Sequence, residues 1–194
     1  MKYMSILLDE TAYSELRAFR DSISKKAKKS ISFSEAVERA VGRTYLLMRL
    51  DPDLRSYIER FIEEAKKDRD VLGMVLFGSV AKGTATRYSD IDILILVKRD
   101  VWGAYDRMHG RIMSLNGLRY GLIKKGIFNY ISPTIIDIKD TESFKPFFLD
   151  VADYGIIVSD SDKVVERFIE KTSSIRHRRE YSPYGEVLRW KIKE

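Results

Sequence analysis

The stretch that decides the fold is Phe77-Gly78-Ser79-Val80-Ala81-Lys82-Gly83-Thr84-Ala85-Thr86-Arg87-Tyr88-Ser89-Asp90-Ile91-Asp92. An apolar run, Val71–Phe77, leads into it, and a second, Ile91–Val97, leads out of it. Each is short, continuous and bounded by turn residues, which predicts two buried strands. Between them lies a Gly78-Ser79 turn and a short helix. Glycine lets the backbone come close to a ligand. The free N–H groups at a helix start, with the Ser79 hydroxyl, suit a phosphate, and Lys82 and Arg87 place positive charge nearby. Asp90 and Asp92 are two residues apart, so both carboxylates project from one strand face. Ile91, Ile93, Ile95 and Val97 take the other face. Leu94 and Leu96 continue the Asp face, so the strand is expected to be covered on both sides. Two carboxylates held side by side repel, and a divalent cation relieves that repulsion. Taken alone, a Gly-Ser pair is a turn and an Asp-x-Asp is a strand edge or a cap. Their order, each abutting an apolar strand, favours a site.

Composition narrows the metal. The chain has no cysteine and only two histidines, His109 and His177, so a thiolate or imidazole site is excluded or poorly supplied. Oxygen ligands remain, and they suit Mg²⁺ or Mn²⁺. The formal net charge of +6 favours polyanionic partners such as nucleotides, RNA or DNA. No apolar run approaches the roughly 20 residues that span a bilayer, and the N-terminus lacks the apolar core of a signal peptide. The reading is a cytoplasmic protein with no membrane partner.

Outward from the central stretch, Asp51-Pro52 opens a helix whose stripe is Leu54, Ile58, Phe61, Ile62 and Ala65. Residues 101–120 read as one helix, and residues 127–138 as a third extended stretch. Pro133 inside it argues for an edge strand, a bulge or two pieces. Phe144, Phe147, Phe148 and Val151 have helical spacing, with Pro146 near the helix start. Residues 154–158 read as a strand. Val164, Val165, Phe168 and Ile169 belong to another helix, and Leu188, Trp190 and Ile192 alternate as in a half-exposed strand. The basic cluster Ile175-Arg176-His177-Arg178-Arg179 is read first as a solvated loop; its functional alternative is contact with an RNA acceptor. His109 is read as a surface or packing residue.

Gly78-Ser79, ten residues, then Asp90-Ile91-Asp92 resembles the signature of the DNA polymerase beta nucleotidyltransferase superfamily. The small size is similar to the minimal nucleotidyltransferases of archaea and bacteria. The resemblance implies an α/β (α+β) fold, a mixed sheet flanked by helices. It implies transfer of a nucleoside monophosphate, AMP from ATP, to a hydroxyl acceptor with release of pyrophosphate. Gly78 and Ser79, with Lys82 and Arg87, would bind nucleotide, and Asp90 and Asp92 would hold Mg²⁺ or Mn²⁺. Family enzymes usually add a third carboxylate from a later strand. Asp137, in Ile135-Ile136-Asp137-Ile138, is the candidate. The plainer alternative is that Asp137 ends a strand and Asp140 caps the next helix. Minimal nucleotidyltransferases often act as antitoxins that attach AMP to a HEPN-type toxin, which makes such a toxin, or RNA, the expected acceptor.

Residues 3–48 resemble a ribbon-helix-helix module: a short strand, a helix starting at Asp9, and a second helix beginning near Ser32-Phe33-Ser34-Glu35. The resemblance implies a homodimer on operator DNA, with Tyr3, Ser5 and Leu7 toward the groove and Lys28 and Ser32 near phosphates. Its alternative is a helical hairpin that only dimerises. The expected organisation is a dimerisation or DNA-binding module over residues 1–50 and a nucleotidyltransferase domain over residues 51–194. Two further readings stay open: a DNA-binding regulator whose nucleotidyltransferase fold senses nucleotide without turnover, and a protein that blocks its partner by contact alone.

Overall fold

A computed structural model describes residues 10–27, 30, 33, 50–182 and 185–191. The chain divides into two compact units, Met1–Tyr45 and Leu46–Glu194. In the first, helix α1 (Glu10–Ala27) is described. Tyr13 of α1 stacks on Phe33 with ring centroids 5.5 Å apart, and the Arg20 guanidinium lies 4.3 Å from the same ring. The expected first strand and most of the second helix lie outside the described residues. So do Tyr3, Ser5, Leu7, Lys28 and Ser32, the residues expected on DNA.

The second unit is built on a four-stranded sheet. Its strands are β1 (Val71–Phe77), β2 (Ile91–Val97), β3 (Ile131–Asp137) and β4 (Ile156–Asp160), in the order β3-β2-β1-β4. β2 runs antiparallel to β1 and parallel to β3; β4 is antiparallel to β1. The sheet is therefore mixed, as the resemblance implied. A parallel neighbour needs a long crossover. Helices α4 (Val101–Ser114) and α5 (Asn116–Lys124) provide it between β2 and β3. The single helix expected over residues 101–120 is thus two. The break falls at Leu115, whose φ of −95° and ψ of 8° are off-helical, with the turn-forming pair Asn116-Gly117 just after it. Pro133 sits on β3, and β3 is an edge strand, where a missing N–H is tolerated.

Helix α2 (Pro52–Lys66) starts as its sequence dictates. The Asp51 side chain accepts from the backbone N–H of Asp53 at 2.9 Å and of Leu54 at 3.4 Å, and Pro52 follows at the first helical position. Its buried stripe packs with Ile91, Ile93, Ile95 and Val97 on one face of the sheet, alongside α4 and α5. Leu94, Leu96, Val75 and Ile136 face the other way, onto α6 (Phe147–Tyr154) and α7 (Val164–Ser173). The sheet is covered on both sides, as Leu94 and Leu96 foretold. The strand expected over residues 154–158 begins two residues later, because α6 continues through Tyr154. The basic cluster is not a loop. β5 (Arg176–Ser182) pairs antiparallel with β6 (Gly185–Lys191). Its charged sequence has no apolar alternation to reveal a strand, and the partner backbone supplies the hydrogen bonds. His109 is exposed on α4. Among the described residues no helix is long and apolar enough to cross a membrane.

One ion network, centred on the buried Asp68, ties α2, β1 and α4 together at the end of the sheet where β1 begins. The Asp68 side chain is 5% exposed and accepts from Arg107 Nε at 2.6 Å. The Arg107 fork also reaches Asp70 at 3.4 Å and Asp100 at 3.2 Å. Burial alone would raise the Asp68 carboxyl, but the Arg107 hydrogen bond, the Asp70 N–H and the two arginine charges outweigh it and hold it below the usual range. A carboxyl lowered by folding adds stability above its unfolded value and loses it as pH falls through the folded one. Asp68→Asn is therefore expected to cost about 2 kcal/mol at pH 7, less than a fully buried pair because Arg107 is part-exposed and keeps Asp70 and Asp100. Thermal unfolding from pH 7 down into acid checks this: the gap between wild type and variant should narrow as the pH falls.

Candidate active site

β1 ends at Phe77, and the chain turns at Gly78 with φ of +68° into the short helix α3 (Gly78–Lys82). Few side chains tolerate that φ. A second reason for glycine is spatial. A Cβ at this position would lie 2.0 Å from Asp92 Oδ2, so the carboxylate fills the room a side chain would need. β-Pairing brings this about: Phe77 lies opposite Asp92, and Gly78 follows. Gly83, with φ of +73°, ends α3, and its N–H and that of Thr84 close back on the helix.

Asp92 is the second residue of β2 and is half-buried, whereas Asp90 lies just before the strand and is exposed. Burial first, and the Asp90 charge second, push the Asp92 carboxyl above its ordinary value. A cation held beside the two carboxylates would relieve their repulsion. The donor set fits a hard, oxygen-binding ion. Among the described residues no cluster of three or more acidic, His or Cys side chains is formed. Asp90 and Asp92 would hold Mg²⁺ or Mn²⁺ together with ligand oxygens and water, as Mg²⁺ usually requires.

Asp137 is not brought to this site. In the parallel register Asp92 pairs with Ser132, and Asp137 pairs with Val97 at the opposite end of β2. Five residues of strand separate the two positions, roughly 16 Å. Asp137 ends β3, and its side chain accepts from the Lys139 N–H at 2.9 Å, capping the 3₁₀ turn Ile138–Glu142. The plainer alternative holds in that Asp137 ends the strand, but Asp137 itself is the cap and Asp140 lies inside the turn. The expectation of Asp137 as a third metal-binding carboxylate is corrected by the register.

Both basic residues have partners within this unit. Lys82 pairs with Asp150 of α6 at 3.2 Å and lies 5.0 Å from the Tyr154 ring. Arg87 is exposed on the loop before Asp90, and its carbonyl accepts from the Phe128 N–H at 2.7 Å, so it sits toward β3. Sequence reasoning missed Ser132, Asp150 and the Tyr88–Phe128 ring pair. Each owes its place to a partner tens of residues away, and none carries a local signal.

The geometry joins a glycine–serine turn, an acidic pair and a mixed sheet within one unit. A family model described as "Nucleotidyltransferase domain" matches residues 58–175. A curated relative from Methanocaldococcus jannaschii, named "Putative protein adenylyltransferase", is 25% identical over 146 residues, covering 72% of this chain and 94% of the relative. A solved structure described as a toxin–antitoxin with AMP-PNP is 21% identical, with a TM-score of 0.39, and covers 61% of this chain and 83% of its own. A mutant of the toxin–antitoxin MntA-HpeT is 20% identical, with a TM-score of 0.37, over 65% of this chain and 85% of its own. Because the family match spans more than half of the chain and encloses both the Gly78 turn and the Asp90–Asp92 pair, this protein belongs to the nucleotidyltransferase domain family.

Proposed function

We propose that this nucleotidyltransferase moves AMP from ATP onto a hydroxyl group of a partner protein, using Mg²⁺ held by Asp90 and Asp92. The observation that carries the reading is the Asp92 carboxylate, half-buried against Gly78 and raised by burial and by Asp90. A protein acceptor is supported by the name of the Methanocaldococcus jannaschii relative, "Putative protein adenylyltransferase". In its narrowest form the acceptor is a HEPN-type toxin, and the protein is its antitoxin. The N-terminal unit, read as a ribbon-helix-helix module, would dimerise the chain and carry operator DNA through residues that lie outside those described.

The chain's own part in the reaction is to position and to stabilise charge. The Gly78-Ser79 turn holds the triphosphate, with the Ser79 hydroxyl as a donor. Asp90 and Asp92 would hold Mg²⁺ beside it. When bound, Mg²⁺ neutralises charge on the attacking and leaving oxygens. The strand beside Asp92 carries Ser132, not a carboxylate, so no side chain of β3 near the pair is a strong base. The acceptor proton passes to water or to the carboxylate pair.

Incubation of α-labelled ATP and Mg²⁺ with the protein and a host-cell extract tests the reading. Label in a protease-sensitive product, absent with Asp92→Asn, supports it. Ribonuclease-sensitive label names RNA as the acceptor. Mg·ATP binding with no label under any nucleoside triphosphate counts against transfer. Asp137→Asn separates the register from the sequence expectation. It should keep its rate within about threefold, since Asn still caps the turn, whereas a thousandfold loss would restore Asp137 to the site.

A further inference from the structure

Three features lie in a row across one end of the sheet. The Gly78-Ser79 turn continues β1, the carboxylates open β2, and Tyr130 leads into β3, with Ile91 N–H donating to the Tyr130 carbonyl at 2.8 Å. In an in-line displacement the attacking and leaving oxygens stand on opposite sides of the phosphorus. With the triphosphate at the Gly78-Ser79 turn, the attacking hydroxyl comes from the β3 side. This step rests on the function proposed above.

The β3 side is unusually aromatic. Tyr88 is 71% exposed and lies flat on Phe128, with centroids 5.4 Å apart and an interplanar angle of 5°. Tyr130 is also exposed, and Arg119 approaches its ring at 6.0 Å. These rings are not on a loose loop. Asn129, only 2% exposed, donates its amide to the carbonyls of Thr86 and Ser89, and Phe128 N–H donates to the Arg87 carbonyl. The segment before β3 is thereby stapled to the loop that precedes Asp90. A rigid, exposed aromatic patch marks a contact site. Tyrosine, phenylalanine and arginine are the side chains that anchor protein interfaces.

We propose that Tyr88, stacked on Phe128 and flanked by Arg87, docks an acidic segment of the acceptor protein and delivers its hydroxyl to the carboxylate pair. The rings supply contact area, and Arg87 complements acidic side chains next to the modified residue. These residues govern acceptor choice.

The test varies the concentration of host-cell protein extract at fixed α-labelled ATP and Mg²⁺. For Tyr88→Ser and Arg87→Glu, the extract concentration at half-maximal labelling should rise about tenfold or more, the loss of one interface anchor. Tyr88→Phe should stay near wild type. Calorimetric affinity for Mg·ATP should not move in either Tyr88 variant, and the unfolding temperature should not move in any of the three. A photo-crosslinking phenylalanine analogue in place of Tyr88 should trap the same protein that takes the label. Unchanged half-saturation in both variants overturns the proposal. So does a loss of Mg·ATP affinity in Tyr88→Ser in step with labelling, which would make the rings a donor site, or a ribonuclease-sensitive crosslink. A wild type that labels nothing fails the underlying reading instead, and the proposal falls with it.

Discussion

Asp92→Asn is expected to lower transfer by about a thousandfold or more while raising the unfolding temperature of the metal-free protein. The first effect follows from the loss of a charged metal ligand at the reacting phosphoryl group, where removal of a single preorganised contact already costs about 10²–10³. The second follows from the electrostatics. Burial and the Asp90 charge raise the Asp92 carboxyl in the folded chain. A raised carboxyl favours folding while it is protonated, and that contribution is lost as pH rises from its unfolded value through its folded one. At pH 7 the ionised Asp92 is therefore a liability of the empty site. Asn is nearly the same shape and carries no charge, so the variant should unfold about 1–4 °C higher at pH 7. Below pH 4 the two should converge. Calorimetry across pH, with and without Mg·ATP, checks both halves. Wild type should gain stability on adding Mg·ATP, since a ligand that binds only the folded state stabilises it, and the variant should gain much less. A variant that binds and transfers like wild type would remove Asp92 from the metal site. One that loses transfer but also unfolds lower would mean that Asp92 is a structural residue.

The contrast between Asp92 and Asp137 shows what was legible in the sequence. Both are aspartates among isoleucines. The position of Asp92 follows from local order: an apolar run, a Gly-Ser turn, then an acidic pair opening a second apolar run. A hairpin-like antiparallel return forces Phe77 and Asp92 together. Asp137 depends on a parallel register reached through two helices, and nothing local fixes where that register starts. It starts with Ile91 opposite Ile131, so the residue beside Asp92 is Ser132 and Asp137 is carried to the far end. A strand's alternation tells which face a side chain takes, not how far along its neighbour it lies. The same limit hid the other long-range features. Lys82 and Asp150 are 68 residues apart, and the Tyr88–Phe128 stack joins two loops. Covering of the sheet on both sides was legible, because Ile93 and Leu94 are both apolar and point opposite ways. The helix break at Leu115 had a local mark in Asn116-Gly117, which the leucine before it obscured by continuing the apolar pattern into α5.

Gly78→Ala is the substitution in which backbone and site fail together. Alanine at φ of +68° costs about 1–2 kcal/mol from the clash of its Cβ with the following carbonyl. The larger consequence is local, because that Cβ would stand 2.0 Å from Asp92 Oδ2 and 2.9 Å from its Cγ. No side chain can share that space, so either Asp92 rotates away from Asp90 or the start of α3 moves off β2. Either shift separates the triphosphate turn from the carboxylates, and a displacement of about 1 Å in a positioned site is worth about a hundredfold in rate. The expected result is a loss of transfer of that order or greater, with unfolding lowered by about 2–8 °C. Gly110→Ala is the control. Gly110 lies on an exposed turn of α4, and a Cβ there meets nothing within 4 Å. It should raise stability by about 0.5–1 kcal/mol, the ordinary helical gain over glycine, and leave transfer unchanged. Measuring rate, Mg·ATP affinity and unfolding for both variants separates a glycine required by close approach from one that is only tolerated. A fully active Gly78→Ala would mean that the carboxylate and the turn do not need their observed spacing, and the positioning account of the site would fail with it.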